Sequence, residues 1–160
     1  MNWRSLYNMQ RNLDLYIETQ HNLQKGEKIE EKILALLVEV GELANETRCF
    51  KFWSMKEASD KSIILEEYVD GVHFLLSIGL DLDFTYISTS IDAFDSQTEA
   101  FLNVYDTVRK LRKEKGEEAY REAFHAYLQL GLTLGITEGE LVEAYKRKNA
   151  INYERQDQGY

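Results

Sequence analysis

The stretch SIILEEYVDGVHFLLSIG, residues 62–79, decides the fold class. Ile63, Ile64, Leu65, Tyr68, Val69, Val72, Phe74, Leu75, Leu76 and Ile78 cover nearly the whole circumference of a helix. A helix that is apolar all round belongs at the centre of its domain. Glu67 and Asp70 interrupt that surface three residues apart, on the side of Ile63, Phe74 and Ile78. The pattern therefore turns both acids towards the interior. Unpaired buried carboxylates are costly, so something must compensate them. The helix supplies no lysine or arginine after Lys61, which favours a divalent cation over a salt-bridge network.

The preceding segment, residues 27–48, is the clearest amphipathic helix. Ile29, Ile33, Leu36, Val40 and Leu43 recur at steps of four and three, which builds one apolar stripe. Glu39 and Glu42 flank the stripe and repeat the three-residue spacing of Glu67 and Asp70. Such a pair shares a helix face, with Cβ atoms roughly 5–6 Å apart. Taken alone, an ExxE pair is more often a solvated outer face. Two pairs on neighbouring helices are different. Hard oxygen ligands in that number suit Mg²⁺ or Mn²⁺ better than zinc, which prefers His and Cys. Each pair carries a glycine, Gly41 or Gly71. Close approach of a ligand and tight helix packing explain these equally well.

Further along the chain, residues 3–24 read as an amphipathic helix closed by Gly26. Ser54 and Glu57 have capping-box spacing, which predicts a helix restarting there. The apolar run is expected to end at Gly79, with a connection at 81–83. Residues 84–113 and 117–133 read as two helices parted near Gly116. Thr137 and Glu140 form a second capping box and open a last helix to about Tyr153. The expectation is a single all-α domain over residues 1–160, a bundle of about five to six helices. The complete absence of proline agrees with long helices.

The net charge of −9 disfavours a protein whose main task is binding nucleic acid, since phosphate neutralisation needs a basic surface. Cys49 is the only cysteine, so no internal disulfide can form. No segment approaches the roughly 20 apolar residues of a membrane span. The N-terminal residues lack the apolar core of a signal peptide. A soluble cytoplasmic protein without nucleic-acid or membrane partners is the expectation.

EVGELANE (39–46), CFKFWS (49–54) and EEYVDGVHFLLSIG (66–79), in that order, resemble the all-α NTP pyrophosphatase (MazG-like) superfamily, and most closely its dimeric dUTPases. The ExxE and ExxD motifs are separated by 24 residues. MQRNLD (9–14) resembles the family's N-terminal base-recognition segment, and YKRKNAINYERQDQGY (145–160) its C-terminal phosphate-binding motif. The resemblance implies Mg²⁺-dependent hydrolysis of dUTP to dUMP and pyrophosphate. It also implies two or more Mg²⁺ ions per site, with Mn²⁺ able to substitute, and a homodimer whose sites share residues. Glu39 would be the general base, sharing metal binding with Glu42, Glu67 and Asp70. Gln10 and Asp14 would read the base or sugar, with aspartate at 14 where several relatives carry asparagine. Lys51 and Trp53 would reach phosphate and base, and His73 the edge of the cleft. Lys148, Asn149, Asn152 and Arg155 would grip the triphosphate, with Tyr160 beyond them.

Three rivals compete with this reading. A related pyrophosphatase could act on dCTP or another nucleotide with the same metal site. Asp70 and His73 echo the Glu-x-x-His spacing of di-iron bundles, and Glu18–His21 and Glu122–His125 repeat it outside the acidic core. A non-catalytic helical interaction protein would leave the acids as surface features.

Overall fold

The computed structural model describes residues 1–160 and contains six helices and no strand. They are α1 (Trp3–His21), α2 (Ile29–Thr47), α3 (Lys61–Leu82), α4 (Gln97–Glu114), α5 (Glu117–Thr133) and α6 (Glu138–Asp157). Helix α3 carries the all-apolar run and is central, packing on α1, α2, α5 and α6. Helices α4 and α5 pair with each other, and α4 also packs on α2.

Helix boundaries follow from local chemistry. Asn2 and Ser96 accept hydrogen bonds from backbone N–H groups three residues on, opening α1 and α4. The capping box of Thr137 and Glu140 is present in both directions at the start of α6. The expected helix at Ser54–Glu57 does not form. The Ser54 hydroxyl is occupied by the Arg48 guanidinium and by the N–H of Lys56, so it cannot cap. Helix α3 starts instead after Asp60. Gly79 does not end that helix, which runs on to Leu82 and closes at Asp83 in the left-handed region. A side chain at Gly79 would strike the Tyr120 hydroxyl, so this glycine serves packing rather than termination.

The expected helix over 84–113 begins only at Gln97. Residues 84–96 run without helical structure and are fastened by distant partners. The N–H of Tyr86 donates to the Tyr7 hydroxyl at 2.8 Å, Trp3 Nε1 donates to Ser88 Oγ at 3.0 Å, and Tyr86 stacks on Phe124. Thr85, Ile87, Ser88, Thr89 and Ser90 also weaken helix propensity there.

The core brings together 32 buried residues and is unusually rich in tyrosine. A buried phenol needs a hydrogen-bond partner. Tyr68 and Tyr127 solve this reciprocally across α3 and α5. Each hydroxyl donates to the other's backbone carbonyl, at 3.0 and 2.7 Å, and the rings stack with centroids 4.7 Å apart. Gly71 lies under the Tyr127 hydroxyl and Gly131 under that of Tyr68. Packing, not ligand approach, therefore explains Gly71. A Gly71→Ala substitution should destabilise the protein by about 1–3 kcal/mol through overpacking. Tyr127→Phe, which loses one hydrogen bond, should cost about 0.5–1.5 kcal/mol. Urea unfolding of the two variants checks that order.

Candidate active site and metal centre

Four helices frame a cavity of about 330 Å³ at one side of α3. Helical spacing selects the residues each sends there. Gln10 and Asp14 come from α1, one turn apart, and Lys32 and Glu39 from α2, two turns apart. Asp70, His73 and Ser77 lie along one face of α3, and Lys148, Asn152 and Arg155 along one face of α6.

At the α2–α3 end, Glu39, Glu67 and Asp70 each place a carboxylate oxygen within 4.8 Å of the other two. All three are half-buried at the cleft, so Glu67 and Asp70 are not turned fully inward as the sequence suggested. Glu42 is exposed and outside this triplet, and its negative charge adds to the crowding at Glu39 and Glu67. One oxygen of Glu39, Oε2, is buried with no hydrogen-bond partner. Like charges at 4.8 Å repel by on the order of 3 kcal/mol per pair at an effective dielectric constant near 20. Burial, and then the neighbouring acids, push Glu39 up to about 8 and Glu67 up to about 7. Asp70 is raised mainly by burial and is partly relieved by Lys148, whose Nζ lies 3.1 Å away.

That lysine is what reasoning confined to α3 could not supply. Lys148 is buried and bridges Asp70 and Glu66 from α6. It compensates one acid and leaves Glu39 and Glu67 without a cation. Clustered hard oxygens with an orphaned buried carboxylate oxygen fit a divalent metal such as Mg²⁺. The imidazoles do not fit the di-iron alternative. His73 commits Nδ1 to Gln10, His21 pairs with Gln156, and His125 sits beside Thr89 and Tyr86.

The other end of the cavity is a closed hydrogen-bond network. Gln10 Nε2 donates to Asp14 Oδ1 at 2.9 Å, and Ser77 Oγ donates to Asp14 Oδ2 at 2.8 Å. Tyr145 Oη donates to Gln10 Oε1 at 2.8 Å, and His73 Nδ1 lies 2.8 Å from the same oxygen. Burial raises Asp14, and Lys32 partly offsets this while pairing with Asp81 at 2.7 Å. Burial holds His73 down at about 3, with Lys148 acting in the same direction. Asn149 is buried beside Tyr145, and its Nδ2 lacks a partner.

Of the sequence-predicted residues, the cavity gathers Gln10, Asp14, Glu39, Asp70, His73, Lys148, Asn152, Arg155 and Tyr160. Lys51 and Trp53 do not reach it within this chain. They lie in an exposed loop, where Trp53 is 65% exposed and packs edge-on against Phe50 and Phe52. Lys32, Ser77, Asp81 and Tyr145 were missed. Two carried a spacing signal, since Lys32 lies seven residues before Glu39 and Ser77 four after His73.

In this all-α fold an acidic cluster and the Lys148 and Arg155 side chains of α6 meet in one cleft. A family model described as dUTPase matches residues 2–160, and the chain belongs to that family, the all-α dimeric dUTPases. It is a nucleoside triphosphate pyrophosphohydrolase that converts dUTP to dUMP and pyrophosphate, in a family that uses Mg²⁺. No curated protein matches the chain. No helix is long and apolar enough to cross a membrane.

The raised carboxylates predict a pH dependence. Without a cation, the folded protein holds protons on Glu39 and Glu67 that the unfolded chain releases near their ordinary value of 4.5. Stability should therefore fall as pH rises from about 4.5 through about 8. Thermal melts in a chelator should show this decline, Mg²⁺ should flatten it, and Glu39→Gln should make it shallower.

Proposed function

We propose that the cavity between α1, α2, α3 and α6 is where dUTP is hydrolysed, with the acidic cluster at the phosphate end. The observation that carries this is the unpartnered Glu39 oxygen within a triplet of mutually close carboxylates. In this reading residues 1–160 act as one domain. Glu39, Glu67 and Asp70 hold two or more Mg²⁺ ions, for which Mn²⁺ can substitute, and Glu42 supports them from the rim. When bound, the metal neutralises charge developing on the phosphate chain and acidifies the attacking water.

Glu39 accepts the proton of that water as its oxygen bonds to phosphorus. The phosphorus–oxygen bond to the departing pyrophosphate breaks, leaving dUMP. Lys148 sits beside Asp70 and within reach of the phosphates, serving both as a point charge. Arg155 and Asn152 extend the grip along α6, with Asn149 behind them. Arg155 is held under the ring of Tyr160, its guanidinium 4.7 Å from the ring centre. The network at Gln10, Asp14 and His73 receives the nucleoside. A single cysteine and the absence of an apolar span fit a cytoplasmic enzyme.

Glu39→Gln should lower kcat for dUTP by about 10²–10⁴-fold, the usual contribution of a general base. Glu67→Gln and Asp70→Asn should act chiefly by raising the Mg²⁺ concentration required. Chromatographic separation of dUMP and pyrophosphate, with and without Mg²⁺, measures both effects. Wild-type turnover in Glu39→Gln would sink the assignment.

A homodimer belongs to the same reading. Leu34 and Val38 stand outward on α2 at 63% and 49% exposure, and Phe52 and Met55 are almost fully exposed in the loop after it. Large apolar side chains left in water on α2 and in the loop after it are candidates for an interface. It would bring Lys51 and Trp53 to a partner's site. Leu34→Asp with Val38→Asp should convert a dimer into monomers in sedimentation velocity; a wild-type monomer would refute the assembly.

A further inference from the structure

Lys148 holds two carboxylates at once. Its Nζ lies 3.1 Å from Asp70 Oδ1 and 3.4 Å from Glu66 Oε1. Glu66 and Asp70 stand one turn apart on α3, so a single head group from α6 reaches both. Their surroundings differ. Asp70 belongs to the crowded triplet with Glu39 and Glu67, and its side chain is 17% exposed. Glu66 lies outside the triplet, is 59% exposed and has no charged partner but Lys148. The lysine itself is buried. Leu141, Ala144 and Tyr145 precede it along the same buried face of α6 and anchor its backbone. Any adjustment is therefore left to the end of its flexible four-carbon stem.

An ammonium and a divalent cation compete for one carboxylate, because each is attracted to it and the two repel each other. Within the triplet only Asp70 already has a cation beside it. A metal ion held there draws on the charge that Lys148 uses, and a buried ammonium that loses its partner is strongly destabilising. Glu66 removes that cost, since it already touches the head group and stays outside the triplet. We propose that Lys148 is a resident counter-ion that occupies Asp70 in the metal-free protein, and that Glu66 is a positioning residue that takes the ammonium over when a divalent cation binds Asp70. The inference rests on the reading of the triplet as the metal centre. It gives a role to an acid outside both carboxylate pairs, and it keeps a positive charge at that end of the cleft with or without metal.

The first test is binding of Mn²⁺ alone to the full-length protein, followed by electron paramagnetic resonance of the free ion. Lys148→Met keeps the stem and removes the charge, so it should tighten Mn²⁺ by about tenfold. Glu66→Gln should weaken Mn²⁺ by about 3–10-fold in the wild-type background. Combined with Lys148→Met it should change the affinity by less than about 1.5-fold, because Glu66 then has no ammonium to receive. If Glu66 acted only as one more negative charge near the site, Glu66→Gln would weaken Mn²⁺ by the same factor in both backgrounds. That result would overturn the proposal.

The second test needs no variant. The ¹H–¹⁵N spectrum of the Lys148 ammonium in the wild-type protein identifies its acceptor, through the coupling of Nζ to the carboxylate carbon across the hydrogen bond. Without metal the coupled carbon should be Asp70 Cγ, and at saturating Mg²⁺ it should be Glu66 Cδ. An ammonium that remains on Asp70 at saturating Mg²⁺ would refute the exchange. One found on Glu66 alone in the metal-free protein would refute the resident counter-ion. Failure of the wild type and all three variants to bind Mn²⁺ would refute the metal-centre reading itself, a result distinct from binding that Glu66→Gln weakens equally in both backgrounds.

Discussion

Carboxylate crowding between α2 and α3 is the constraint around which this molecule is arranged. Glu39, Glu67 and Asp70 hold oxygens within 4.8 Å of one another, and one Glu39 oxygen has no partner. Mutual repulsion of this size opposes folding, so the helices that carry the acids must be fixed by something stronger. That is the apolar packing of α3 against its neighbours, where Val40 and Leu43 from α2 and Val69, Val72 and Leu76 from α3 are buried. The reciprocal Tyr68–Tyr127 bonds pin α3 to α5 from behind. The core thereby holds an arrangement of acids whose repulsion is relieved by protons kept on Glu39 and Glu67, which is why both are raised well above the usual carboxylate range.

The same principle of fixed polarity operates at both ends of the cavity. At the acidic end, negative charge is concentrated and only Asp70 has a built-in cation, Lys148. At the other end, no group is free to reorient. The Gln10 amide is oriented by Asp14, which Ser77 and Gln10 hold, while Tyr145 and His73 converge on the glutamine oxygen. Lys148, Asn152 and Arg155 on α6 line the same cavity.

The all-helical class is legible in the chain, because the apolar run at 62–79 and the stripe from Ile29 to Leu43 are properties of spacing. So are the acid pairs and the Lys148–Asn152–Arg155 stripe, since each lies on one helix and follows its period. The remaining features depend on partners remote in the chain. Residues 84–96 forgo a helix because Tyr7, Trp3, Phe124 and Thr133 hold them elsewhere. The Ser54 hydroxyl is taken by Arg48, so its capping spacing goes unused. Lys148 reaches Asp70 across 78 positions, and Tyr145 reaches Gln10 across 135, distances over which no periodicity carries information. Local spacing sets which face a side chain takes on its own helix. Which groups then meet across a cleft is fixed by how the helices pack, and the chemistry of this site lies in those meetings.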